Sequence, residues 1–120
     1  AVLLLADTSS PEDPDVAVWM NDVELRRDPS HTRDLPPSEW LALLEANGFL
    51  ITDTALTAVP MVFDEWVVRS GTPSPVAERL RQDFLDAPSG AVEAFHIRQD
   101  DGLAITFQWT CLVVRALRQS

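Results

Sequence analysis

The chain has 120 residues, 46% of them hydrophobic, and carries 19 acidic against 9 basic side chains, for a net charge of −10 at pH 7. That length gives one domain at most, and the apolar content supports a core and argues against disorder. The charge argues against nucleic acid as a partner, because the nine basic residues are all arginines scattered along the chain. No apolar run approaches the ~20 residues of a membrane-spanning helix. The one cysteine, Cys111, lies in an apolar run with no disulfide partner and no companion metal ligand, so a buried thiol and a cytoplasmic location are expected.

The run Val2-Leu3-Leu4-Leu5-Ala6 passes into Asp7-Thr8-Ser9-Ser10 with no preceding turn. A continuous apolar run ending in a polar turn cluster is the pattern of a strand buried on both faces, normally in a parallel sheet covered by helices. Such a strand needs neighbours, so the chain reads as the later part of a larger α/β domain. Pro11-Glu12-Asp13-Pro14 then signals a helix start, and Val16, Trp19, Met20 and Val23 give that helix one apolar face as far as about Arg27. Asp28-Pro29 stops it, and Asp28 to Pro37 reads as a proline-bounded loop holding His31 and Arg33.

Ser38 is the expected N-cap of the next helix, in which Trp40, Leu41, Leu43 and Leu44 are apolar; Gly48 ends it as a left-handed glycine. Leu50 to Val59 is rich in β-branched residues and reads as a strand. Phe63 to Arg69 reads as a short helix, broken by Gly71-Thr72-Pro73. Ser74-Pro75 opens another, with Val76, Leu80, Phe84 and Leu85 on one face. A helical turn is expected around Val92 to Phe95. Asp100-Asp101-Gly102 is a turn, and Leu103 to Val114 is a long final strand.

This order of elements resembles class I S-adenosylmethionine-dependent methyltransferases, in the branch similar to ubiquinone/menaquinone-biosynthesis methyltransferases. The phrase Arg27-Asp28-Pro29-Ser30-His31-Thr32-Arg33, followed by Leu35 and Ser38-Glu39-Trp40, carries the likeness, as does Ala46-Asn47-Gly48-Phe49. The resemblance implies the C-terminal part of a Rossmann-like α/β fold with a three-stranded mixed sheet. The opening strand stands for the family's fifth and Leu50 to Val59 for its sixth, with an antiparallel seventh inserted between them. It also implies one fragment over residues 1–120, with residues 62–95 a helical insertion and possible acceptor-side lid.

The departure from the family is the cofactor turn. The glycines are Gly48, Gly71, Gly90 and Gly102, with no Gly-x-Gly spacing, so the close backbone approach that such a turn allows is missing. S-adenosylmethionine is expected in the intact parent and no cofactor for this chain alone, which is then inactive by itself. His31 is the catalytic candidate: its imidazole can accept a proton from an acceptor hydroxyl or amine, or align the reacting atoms. Asp28 and Arg33 beside it, Asp7 at the strand's carboxyl end, and Trp19 and Trp66 are the expected substrate-binding residues, with Met20, Met61 and Phe63 weaker pocket candidates. His96 reads as a surface or packing histidine, and Glu12, Asp13 and Asp15 as helix-start charges rather than metal ligands. No Ser/His/Asp arrangement, phosphate loop or metal spacing is visible. The alternative is a truncated, non-catalytic module that self-associates through Val2 to Ala6. Both readings expect a homo-oligomer through that strand edge.

Overall fold

The computed structural model describes residues 1–119. Strand β1 (Val2–Ser9) is followed by helices α1 (Pro14–Arg27) and α2 (Pro37–Ala46), strand β2 (Phe49–Val62), helices α3 (Phe63–Arg69), α4 (Ser74–Leu85) and α5 (Ser89–Phe95), and strands β3 (Arg98–Gln99) and β4 (Ile105–Arg118). The sheet order is β1-β4-β2, with the two-residue β3 also on β4, and each pairing with β4 is antiparallel. Thus β1 and β2 run in one direction on either side of an inserted, antiparallel last strand, as the resemblance implies. Among the described residues no helix is long and apolar enough to cross a membrane.

Strand β4 organises two cores by the alternation of its side chains. Ile105, Phe107 and Trp109 pack with Val16, Met20, Phe63, Trp66, Leu80 and Phe84 of the helical layer. Leu112, Val114 and Ala116 pack with Leu44 and with Leu3, Leu5, Trp40 and Ile51. The pairing of β4 with β2 runs without a break from Thr106 to Arg115, so odd- and even-numbered residues hold opposite faces and the two cores lie on opposite sides of one sheet. The helices of residues 63–95 therefore belong to the main core, beside α1.

Local chemistry accounts for the element boundaries. The Asp13 carboxylate accepts from the amides of Asp15 and Val16 and caps α1. Gly48 and Gly71 take φ of +86° and +64° just past α2 and α3, where side-chain-bearing residues are strained. Ser38 and Ser74 are not caps: Pro36 and Pro73 hold those positions, because a fixed φ suits the entry to a helix. Ser38 instead donates its amide (2.9 Å) and hydroxyl (2.6 Å) to the Glu12 carboxylate, tying α2 to the loop before α1. Strand β2 is longer than its sequence pattern, with a bulge between Ile51 and Asp53.

Burial of β1 on both faces is met on one face only. Leu3 and Leu5 pack under α2, whereas Val2 and Leu4 are 56% and 72% exposed, since the helical layer reaches β4 only as far as Trp109. Cys111 is half-buried rather than buried, on that same uncovered face. Leu85 is exposed and falls outside the buried face of α4 formed by Leu80 and Phe84.

Phe84 meets Trp19, Phe63, Trp66 and Phe107, with ring centroids 4.9–5.4 Å apart. Phe84→Ala is expected to cost ~3–5 kcal/mol in urea unfolding, whereas Leu85→Ala changes stability by less than ~0.5 kcal/mol. Equal losses from the two would contradict this assignment of the core.

Candidate functional site

The segment between α1 and α2 is pinned from two sides. Ser9 donates its hydroxyl (2.8 Å) and Ser10 its amide (3.1 Å) to the Leu35 carbonyl, which fastens the segment to the end of β1. On α1, the Asn21 carboxamide oxygen accepts from the Asp34 amide at 2.6 Å while its nitrogen donates to the Ala17 and Asp34 carbonyls. At the near end, the Asp28 carboxylate accepts from the amide and hydroxyl of Ser30, and this bonding holds its pKa below the usual value. These ties turn His31 inward, leaving its side chain 14% exposed.

His31 sits between two carboxylates. Its Nδ1 lies 3.6 Å from Glu24 Oε2 and its Nε2 lies 3.5 Å from Asp34 Oδ2. Asn21 Oδ1, already an acceptor from the Asp34 amide, is 3.2 Å from Nε2; that nitrogen therefore carries the proton and donates, directing Nδ1 at Glu24. Glu24 is buried, and its Oε1 accepts from the indole N–H groups of Trp66 (3.2 Å) and Trp109 (3.1 Å). Arg27, stacked over the Trp66 ring, approaches the same oxygen at 3.8 Å.

Asp34 differs from Glu24 in having no donor on Oδ2. Burial, followed by the charges of Glu24 and Asp7, pushes its pKa up to about 7. The Trp40 indole nitrogen is also buried and unpaired. Asp34, Trp40, Glu24, His31, Arg33, Asp7 and Thr8 line a cavity of about 440 Å³ beside the carboxyl end of β1.

Of the residues singled out from sequence, His31, Asp7 and Arg33 meet at this cavity. Asp7 accepts from the Thr8 amide at 2.8 Å, and Arg33 at the rim pairs with Glu39 rather than Asp34. Asp28 lies outside the cavity lining, holding the Ser30 turn. Trp19 and Trp66 are in the aromatic core: Trp19 packs on Phe84 and Phe95, and Trp66 is fully buried. Trp66 reaches the site only through its N–H on Glu24. His96 caps α5 with a left-handed φ of 50° and lines a separate cavity with Arg69 and Arg98. Sequence reasoning missed Glu24, although it stands four residues after Met20 and eight after Val16, on the buried stripe of α1. No sequence pattern singles out Asp34 or Asn21 either.

The raised pKa of Asp34 has a definite sign. Since the folded value lies above the unfolded one, ionisation costs stability as pH rises from about 4 to about 7. Asp34→Asn is expected to be more stable than the wild type above pH 7 in metal-free buffer, by up to ~4 kcal/mol. The difference should vanish below pH ~4; thermal melts at pH 4 and pH 8 read it, and a pH-independent gap would contradict it.

No family model matches the chain. It is similar to YcgJ of Bacillus subtilis, named an uncharacterised methyltransferase, with 30% identity over 97% of this chain and 46% of that protein. Escherichia coli YafE, named an uncharacterised protein, is 36% identical over 83% of this chain and 48% of YafE. The chain thus spans about half the length of the curated relatives it matches. Two solved structures superpose on all of it: BH2331 of Bacillus halodurans, described as a "putative methyltransferase", with a TM-score of 0.93 at 28% identity and 56% of that chain covered, and YcgJ with 0.92 at 29% and 52%. In fold, strand order and sequence, the chain is similar to about half the length of proteins of the class I methyltransferase kind.

Proposed function

We propose that this chain is the acceptor-side portion of an S-adenosylmethionine-dependent small-molecule methyltransferase, with His31 positioning the acceptor in the cavity beside β1. The observation that carries this reading is the polar cluster at the carboxyl end of β1, where open α/β sheets hold ligands, on a fold shared throughout with BH2331 and YcgJ. The unpaired Asp34 oxygen and Trp40 N–H offer an acceptor and a donor to a molecule entering the cavity. Held by Asn21 and Glu24, His31 fixes the orientation of the entering group, and alignment is the main requirement of methyl transfer.

The cofactor itself does not fit the glycines present. Gly48 and Gly71 are spent on left-handed helix ends, and a Cβ on Gly90 would meet Val16 at 3.3 Å. Gly102 sits in the turn before β4. None lines the cavity beside β1, which supports the reading that the S-adenosylmethionine site lies on other elements of the parent protein.

Calorimetric titration of S-adenosylmethionine into the 120-residue chain should show no micromolar binding. A longer gene product containing this segment should bind it and release S-adenosylhomocysteine with a panel of phenol, quinol and amine acceptors. There, His31→Ala should lower kcat/KM by ~10²-fold with cofactor affinity unchanged. A longer product that binds no S-adenosylmethionine would overturn the reading.

A specific observation favours self-association as well. β1 pairs with β4 along one edge only, and Val2 and Leu4 on its uncovered face are exposed. Sedimentation of the chain at micromolar concentration should show a dimer or larger species that Leu4→Lys disperses; a wild-type monomer would rule out association through this strand.

A further inference from the structure

We propose that Glu24, His31 and Asp34 bind one first-row divalent cation on the wall of the cavity beside β1. One donor atom from each of the three residues lies within 4.8 Å of the other two. Three donors held about 2.1 Å from one ion stand ~3.0–3.6 Å apart, so the widest pair closes by ~1–2 Å through side-chain rotation to complete the set. The sequence showed no ligand spacing, because the three residues come from α1 and from the loop that Asn21, Ser9 and Ser10 fold back against it.

The strongest sign of a missing partner is Asp34 Oδ2, on a side chain more than nine-tenths buried that faces His31 with no hydrogen-bond donor. A buried carboxylate oxygen without a partner is costly, and a bound cation removes that cost. Neither nearby protein cation is paired with Asp34: Arg33 is paired to Glu39, and Arg27, stacked on Trp66, donates to the Trp66 carbonyl at 2.9 Å and lies 3.8 Å from Glu24 Oε1, the oxygen turned away from His31. Asp7 adds a third carboxylate to the same cavity.

The surrounding hydrogen bonds also orient the donors. Asn21 holds one imidazole nitrogen of His31, and two indole N–H groups hold Glu24 Oε1, which leaves Oε2 turned toward the other imidazole nitrogen at 3.6 Å. Metal-binding histidines and carboxylates are held in this way by their outer partners. One imidazole with two carboxylates suits Mn²⁺, Co²⁺ or Zn²⁺ better than Mg²⁺ or Ca²⁺, which prefer oxygen alone. Three protein donors leave coordination positions open to the cavity. On the methyl-transfer reading, which this one use of the ion rests on, an oxygen of the acceptor takes one of them; the binding itself does not depend on that reading.

The test is titration of the chelator-stripped chain with Mn²⁺, following free ion by electron paramagnetic resonance and indole fluorescence in parallel. The expected result is one Mn²⁺ per chain at micromolar metal, with quenching, because Trp66 and Trp109 share a carboxylate with the ion. His31→Gln and Asp34→Asn, each checked for folding by circular dichroism, should each weaken binding at least ~10-fold, and Glu78→Gln on the exposed face of α4 should not. No saturable site in the wild type at millimolar Mn²⁺, or binding unchanged in both variants, would overturn the proposal. Since the readout is metal binding, a failure here leaves the methyl-transfer reading standing, and the converse also holds.

Discussion

The carboxylate of Glu24 is the point on which the helical half of the molecule turns. It sits on α1 and accepts from Trp66 of α3 and Trp109 of β4, so a single buried anion joins three elements far apart in sequence. Hydrogen bonds to a charged group are worth ~1.5–3 kcal/mol each, and an unsatisfied buried carboxylate costs more than that. The arrangement therefore allows little play in how α1, α3 and β4 meet. The aromatic cluster closes around it, with Phe107 in edge or tilted contact with Trp66, Phe84 and Trp109. The second oxygen of the same carboxylate faces His31, which joins the core directly to the cavity.

Asp34 has the opposite environment. Glu24 is buried with donors, whereas Asp34 is buried beside two other carboxylates with one oxygen unpaired, and its pKa rises accordingly. Two acids that share one histidine but differ in satisfaction make a site polarised toward the cavity. The fold tolerates this because Asn21 and the β1 serines hold the loop through backbone groups, independently of the Asp34 carboxylate.

The sheet divides its work between its faces. The first half of β4 supports the helical layer on one face, and the second half supports α2 on the other. Where neither layer reaches, Val2, Leu4 and Val113 remain exposed, on the side of the sheet opposite α2.

Periodicity and punctuation in the sequence determined most of the elements. The stripe Val16, Trp19, Met20, Val23, the aspartate and prolines before it, and the glycines at Gly48 and Gly71 act through local backbone preference, which each short segment carries by itself. Local phrases also led to His31 as the residue of interest. What they left open was the company it keeps. Whether Trp66 lines a pocket or donates to a buried acid, and which loop carbonyls Ser9 and Asn21 reach, are settled by contacts between residues 13 to 42 positions apart. Such contacts depend on how the layers pack, and only the tertiary structure places Glu24, His31 and Asp34 around one point.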